Sequence, residues 1–151
     1  GFDKYDNIRI GINARIDTIQ AAILLEKLSI FDNELILRNK VADYYYDNIS
    51  SNLNKPFIPK NYMSSWAQYS LLANSESERD EIISHLNDQD IPSMIYYKIP
   101  LHLQDVFKKL GYGVGDFPIS EQASKQIFSI PMHPYLDNEK QNRIIEVLNK
   151  Y

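Results

Sequence analysis

Two runs of apolar residues in the first third of the chain predict two consecutive helices. Residues 17–28 are apolar on nearly every face, and Asp17 is placed to cap their first turn. Residues 32–49 carry apolar side chains at helical spacing, and the polar segment before Pro56 ends them. A helix that is apolar nearly all round is buried or lies between two domains. We therefore expect the first helix to be covered by a surface that is missing from these 151 residues.

Shorter patterns before and after these helices complete the predicted fold. Ile8, Ile10 and Ile12 alternate with polar residues, which is typical of an extended segment. Three strands are expected, at residues 66–73, 93–97 and 127–132. Further helices are expected at residues 75–88, 102–110 and 119–126 and after Asp137. Ser75, Ser77 or both lie near the cap of the helix at residues 75–88. The order predicts an α+β fold with a small antiparallel or mixed sheet of about three strands, helices packed on it and two long helices before it. No domain boundary is evident within residues 1–151.

Composition and charge narrow the functional classes. The chain of 151 residues is long enough for a hydrophobic core, and it contains no cysteine, which excludes disulfides and thiolate chemistry. The net charge of -4 and the lack of a basic cluster argue against a nucleic-acid partner. No apolar signal segment follows Gly1, and the longest apolar run, residues 21–25, is too short for a bilayer, so we expect a cytoplasmic protein, or a piece of one, with no membrane partner.

The chain offers few candidates for metal binding or nucleophilic catalysis. His85, His102 and His133 are never three or four residues apart, so no helix presents a pair of metal ligands and no metal site is predicted. The glycine-rich residues 111–115 lack the flanking residues of a phosphate-binding loop, and a turn is the expected structure.

Two residues just beyond the second predicted strand have alternative interpretations. His102 follows Pro100 and could point into a cleft, or it could be an ordinary structural histidine. Lys98 lies in a mainly apolar segment and could be a desolvated Schiff-base nucleophile, or it could simply point outward.

The segment before the first helix has the chemistry of an anion site. Asn13 and Arg15 project to the same side of an extended chain, next to the capped start of a helix. An amide and a guanidinium at a helix N-terminus suit a phosphate or carboxylate group. In the alternative interpretation, Asn13 is a turn residue and Arg15 pairs with Asp17 or Asp32.

Motifs along the whole chain resemble those of one enzyme family. They are carried by Gly11, Asn13, Arg15 and Asp17, by residues 65–69 (SWAQY), by Tyr97, Pro100, Leu101, His102 and Gln104, by residues 116–118 (DFP) with Glu121, and by residues 129–134 (SIPMHP). Together they resemble the nucleotide-sugar aminotransferases of the DegT/DnrJ/EryC1/StrS family, which use pyridoxal 5'-phosphate. The similarity is greatest to members that aminate the 3-keto group of a UDP-linked N-acetylhexuronic acid.

The resemblance implies that residues 1–151 are the C-terminal small domain of the aspartate aminotransferase fold. The large domain, with the Schiff-base lysine and the cofactor ring, would precede Gly1. The implied reaction moves an amino group from glutamate to a keto group of a nucleotide-linked sugar, for lipopolysaccharide or other surface polysaccharide. Lys98 does not match the catalytic lysine, so this segment carries no catalytic residue and is expected to be inactive by itself.

The resemblance also implies roles for five residues. Asn13 matches an asparagine that binds the phosphate of the pyridoxal phosphate in the other subunit of a homodimer, and Arg15 matches a position that helps to bind the anionic part of the substrate in some members. Tyr96, Tyr97 and His102 match the segment that lines the sugar pocket, although the family often has histidine at the position of Tyr96. Two alternatives stay open: a non-catalytic module that binds a nucleotide sugar or a partner, and a different enzyme class.

Overall fold

The computed structural model describes residues 15–50 and 52–151, and the chain divides into two units, Gly1–Asp32 and Asn33–Tyr151. The described helices are α1 (Thr18–Asn48), α2 (Glu76–Asp88), α3 (Pro118–Gln126) and α4 (Asn138–Asn149), and the strands are β1 (Tyr69–Leu72) and β2 (Ile127–Ile130). Two short 3₁₀ helices, Leu101–Leu103 and Asp105–Leu110, come between α2 and α3 in the sequence. The predicted extended segment around residues 8–13 lies outside the described residues.

Helix α1 is continuous where the sequence predicted two helices, so that prediction is wrong. Residues 29–31 contain neither glycine nor proline, and the Ser29 hydroxyl donates to the Glu26 carbonyl at 2.6 Å, which satisfies a polar side chain in mid-helix. The predicted cap is confirmed: Asp17 Oδ1 accepts from the Gln20 amide at 2.8 Å, and Gln20 Oε1 accepts from the Asp17 amide at 3.3 Å.

The described part of the first unit exposes most of its apolar side chains. These are Ile16, Ile19, Ile23, Leu24, Leu25, Leu28, Ile30 and Phe31, each more than two-fifths exposed. This matches the sequence-based inference that the start of α1 lacks a covering surface.

In the second unit, β1 and β2 form a two-stranded antiparallel sheet in which Tyr69 pairs with Ile130. The predicted third strand is wrong: residues 93–97 make only one bridge, in which Met94 and Ser129 exchange hydrogen bonds of 2.8 and 3.0 Å. Pro92 has no N–H to extend the pairing, and the chain bends at Tyr96.

Strand β1 is also shorter than residues 66–73, because Trp66 has a φ of 47°, outside the range of a strand. Several contacts hold this conformation. The Trp66 carbonyl accepts from Arg38 Nη1 at 2.9 Å, and its indole N–H donates to Asn39 Oδ1 at 3.0 Å. Helix α1 therefore fixes the point at which the sheet begins.

The core of the second unit lies between the sheet and the helices. Helix α2 packs on α3, α4 and β2, and the largest side chains that are almost completely buried are Tyr45, Ile49, Tyr69, Leu71, Ile82, Leu86, Phe128 and Leu148. Buried Gln141 of α4 donates to the Val41 carbonyl of α1 at 3.1 Å. The architecture is α+β, as predicted.

The later helices follow their sequence signals with one exception. Ser75 and Asp137 cap α2 and α4 through their side chains, as predicted. The expected helix at residues 102–110 is wrong, because Gln104 has an extended backbone (φ -74°, ψ 144°) and separates two 3₁₀ helices. Gly111 ends the second one in the left-handed conformation (φ 81°).

Candidate functional site

A cavity of about 460 Å³ lies between the segment after the Met94–Ser129 bridge and helix α3. Residues 96–101 and Gln104 form one side, which we call the loop wall. Ser120, Ala123 and Ser124 of α3, with Ile127, form the other, which we call the helix wall. The cavity exists because the chain leaves the sheet at Tyr96 and returns to it only at β2.

The polar groups of the cavity are hydroxyls, an amide and one ammonium group. The hydroxyls belong to Tyr96, Tyr97, Ser120 and Ser124. Lys98 is the one cation among the lining residues, and none of them is Asp or Glu. The rest of the lining is apolar, and the Ser124 hydroxyl already donates to the Glu121 carbonyl, so the cavity suits a ligand that combines apolar faces with a few hydroxyl or anionic groups.

Behind the loop wall, His102 is buried and makes a hydrogen bond with the Glu121 carboxylate of α3. Its Nε2 lies 3.1 Å from Glu121 Oε1, and the two side chains are 8% and 14% exposed. The His102 ring also packs at 4.7 Å from the ring of Phe117. His102 is not among the residues that line the cavity.

The Glu121 carboxylate gathers several donors at the start of α3. The Gly115 amide donates to Oε1 at 2.9 Å and to Oε2 at 3.0 Å, and the Phe117 amide donates to Oε1 at 3.2 Å. Partial burial by itself raises the pKa of Glu121, but the hydrogen bonds from Gly115, Phe117 and His102 outweigh it and lower this pKa below its usual value. Glu121 is therefore ionised at neutral pH.

The glycine-rich residues 111–115 form a turn, as the sequence predicted. The Gly113 amide donates to Asp116 Oδ2 at 2.7 Å, and the Gly115 amide donates to Glu121. Because carboxylates of the chain itself already occupy these amides, this loop does not present them to a phosphate.

The sequence-predicted site residues fall into three groups. Tyr96 and Tyr97 line the cavity together, and His102 lies behind it. Arg15 is exposed in the first unit, and the ion pair with Asp17 or Asp32 that the alternative interpretation predicted is absent from the described residues. Asn13 lies outside the described residues.

Sequence reasoning did not assign the link between His102 and Glu121. The position of Glu121 was predictable, because Pro118 at the first helical position puts Glu121 in the first turn of α3. Its partner could not be inferred from spacing. Lys98 lines the cavity and is exposed, so it is not the desolvated lysine that a Schiff-base nucleophile requires.

The described residues lack two other kinds of feature, a metal site and a membrane-spanning helix. No group of three or more His, Asp or Glu side chains in this part of the chain could hold a metal ion. No helix within the same residues combines the length and apolar character needed to cross a bilayer.

Comparison with known proteins identifies the family. The model of the DegT/DnrJ/EryC1/StrS aminotransferase family matches residues 1–149. The chain therefore belongs to this family, as its motifs predicted.

Two curated relatives are named as an aminotransferase and a transaminase of nucleotide-linked sugars. UDP-2-acetamido-2-deoxy-3-oxo-D-glucuronate aminotransferase of Pseudomonas aeruginosa is 38% identical over 135 residues, which cover 89% of this chain and 36% of the relative. dTDP-3-amino-3,6-dideoxy-alpha-D-galactopyranose transaminase of Aneurinibacillus thermoaerophilus is 33% identical over 149 residues, or 98% of this chain and 40% of the relative. The chain thus spans about two-fifths of the length of these proteins.

Solved structures show the same fold. A DegT/DnrJ/EryC1/StrS aminotransferase from Brucella abortus superimposes with a TM-score of 0.84 at 43% identity, over 99% of this chain and 39% of the other. The sugar aminotransferase Spr1654 of Streptococcus pneumoniae, in its pyridoxal phosphate form, gives 0.80 at 26% identity, over 90% of this chain and 36% of the other. A pyridoxamine phosphate form of that protein is similar as well.

Proposed function

We propose that the chain is the C-terminal domain of a pyridoxal-phosphate enzyme that transfers an amino group from glutamate to the 3-keto group of a UDP-linked N-acetylhexuronic acid. The observation that carries this proposal is the family match over residues 1–149, together with the name of the Pseudomonas relative. We further propose that the product serves surface polysaccharide synthesis and that the enzyme works in the cytoplasm.

We assign the whole of residues 1–151 to the small domain and place a large domain before it. The length of the relatives supports this proposal, since this chain accounts for only 36% and 40% of two of them. The exposed apolar side chains at the start of α1 support it too, because a second domain and a second subunit of a homodimer would cover them.

The cavity fits a sugar better than it fits the cofactor ring. Its lining residues include no carboxylate to hold a pyridinium nitrogen, so we assign the ring and the Schiff-base lysine to the large domain. When bound, pyridoxal phosphate supplies the electron sink for transamination. From this chain we assign only Asn13 to the cofactor, as a donor to its phosphate in the partner subunit.

The substrate contacts assigned to this chain come from its two units separately. In the second unit, Tyr96 and Tyr97 present hydroxyls to the sugar, and His102 supports the wall that carries them. In the first unit, Arg15 is an exposed guanidinium without a partner among the described residues, and we assign it to a uronate or pyrophosphate charge.

The test uses the complete enzyme that contains this chain. With pyridoxal phosphate, glutamate and UDP-2-acetamido-2-deoxy-3-oxo-D-glucuronate, it should release 2-oxoglutarate, and omission of the sugar should prevent turnover. Arg15→Ala should raise the KM for the sugar about tenfold or more and leave the KM for glutamate nearly unchanged, because a charge-assisted contact is worth about 1.5–3 kcal/mol.

The matched control is Lys40→Ala, which removes an exposed cation from helix α1 and should leave both constants unchanged. Absence of sugar-dependent 2-oxoglutarate release would contradict the function. Equal effects of the two variants would contradict the role of Arg15.

A further inference from the structure

One side-chain contact joins the two walls of the cavity. His102 follows Leu101, which lines the loop wall, and Glu121 follows Ser120, which lines the helix wall. The 3.1 Å contact between His102 Nε2 and Glu121 Oε1 is the one side-chain hydrogen bond between residues 96–104 and α3 in the described structure. This contact is therefore the polar link between the two walls among the described residues.

Glu121 is held firmly enough to act as an anchor. It lies in the first turn of α3, and the amides of Gly115 and Phe117 donate to its carboxylate, at Oε1 alongside His102 and, from Gly115, at Oε2 as well. On the other side of the contact, Phe117 packs against the His102 ring at 4.7 Å and limits its rotation. Neither His102 nor Glu121 lines the cavity.

We propose that Glu121 is a positioning residue that, through His102, holds Tyr96 and Tyr97 of the loop wall at the spacing that a nucleotide-linked sugar requires. The inference rests on the proposed function, because it assigns the cavity to the sugar. Glu121 does not touch the substrate, and its effect on binding is transmitted by the backbone from His102 to Tyr97.

Replacement of Glu121 by glutamine tests this role with almost no change in shape. A carboxylate accepts at both oxygens, whereas an amide accepts at one atom and donates at the other. With its oxygen at the Oε1 position, the amide turns the charge-assisted hydrogen bond to His102 into a weaker neutral one, and with its nitrogen there it loses that bond and faces the amides of Gly115 and Phe117. In both orientations the loop wall is held less firmly.

The experiment compares two substrates of the complete enzyme. Glu121→Gln should raise the KM for UDP-2-acetamido-2-deoxy-3-oxo-D-glucuronate at least tenfold. The half-reaction with glutamate, followed by the absorbance of the cofactor, should change less than twofold, because the proposal assigns the cavity to the sugar and not to glutamate. Glu139→Gln, the same substitution in the exposed first turn of α4, should change neither value.

Variants of His102 provide the second arm. His102→Gln keeps a nitrogen donor toward Glu121 and should stay near the wild-type KM for the sugar, whereas His102→Leu should raise this KM as much as Glu121→Gln does. The double variant His102→Leu/Glu121→Gln should be no worse than His102→Leu alone, since both substitutions act on the same contact.

Three results would overturn the inference. The KM for the sugar could be unchanged in Glu121→Gln, both half-reactions could slow equally, or the two single variants could have additive effects. A wild-type enzyme that does not transaminate this sugar would overturn the proposed function and, with it, the inference. An active wild type with an unaffected Glu121→Gln variant would overturn the inference alone.

Discussion

Two buried tyrosines show how much a single hydroxyl group can differ in its surroundings. Tyr45 of α1 and Tyr69 of β1 are fully buried, with ring centroids 5.1 Å apart, and burial raises the pKa of both phenols above the ordinary value. The Tyr45 hydroxyl donates to the Pro131 carbonyl at 3.0 Å. The Tyr69 hydroxyl has no hydrogen-bond partner in the described structure, so no hydrogen bond offsets the free-energy cost of its desolvation.

The contrast predicts that replacing each tyrosine by phenylalanine has a different effect on the free energy of unfolding. Tyr45→Phe removes a made hydrogen bond and should lower the free energy of unfolding by about 1 kcal/mol. Tyr69→Phe removes only an unpartnered hydroxyl and should leave this free energy unchanged or raise it. Urea unfolding followed by the fluorescence of Trp66, the single tryptophan, measures both. A loss of stability in Tyr69→Phe equal to that in Tyr45→Phe would show that the hydroxyl has a partner.

At the scale of single elements, the cap of α2 has a matched internal control. Ser75 Oγ accepts from the Glu78 amide at 3.1 Å, whereas Ser77 Oγ lies on the exposed side of the same helix and contacts only Glu81. Ser75→Ala should destabilise the chain by about 1 kcal/mol, and Ser77→Ala should be nearly neutral. Denaturant midpoints of the two variants provide the comparison, and equal midpoints would contradict the capping role.

Local signals were sufficient for the caps but not for the length of the elements. Asp17, Ser75 and Asp137 were recognised because a cap depends on residues within one turn of the helix. Helix α1 is continuous because no glycine or proline interrupts it near Ser29. The pattern of apolar faces, from which two helices were predicted, does not indicate where a helix ends. The missing third strand depends on the bend at Tyr96, and tertiary contacts fix that bend.

At the scale of the whole molecule, the candidate site was only partly predictable. Tyr96 and Tyr97 were found from a motif, because neighbours in the sequence stay neighbours in space. Glu121 is 19 residues from His102, and their contact depends on the path of the intervening 3₁₀ helices and turn. Neither spacing nor composition encodes such a contact.

The surface of the Gly1–Asp32 unit predicts how the isolated 151-residue chain behaves in solution. Along the first half of α1, Ile19, Ile23, Leu24, Leu25 and Leu28 are each at least half exposed, far beyond the scattered apolar residues of an ordinary surface. We expect the purified chain to self-associate through this helix, because burial of one leucine contributes about 1.5–3 kcal/mol. Light scattering that shows only a monomer at high concentration would contradict this expectation.

A pair of double variants distinguishes self-association through α1 from non-specific self-association. Leu25→Lys/Leu28→Lys places two charges among the exposed leucines and should raise the dissociation constant tenfold or more, since about 1.4 kcal/mol corresponds to a factor of ten. Thr18→Lys/Asn33→Lys adds the same charge at exposed polar positions of α1 and should leave association intact. Sedimentation velocity of both measures the difference. Because only the apolar positions are expected to respond, such a result would locate on α1 the surface that the proposed large domain and partner subunit cover in the complete enzyme.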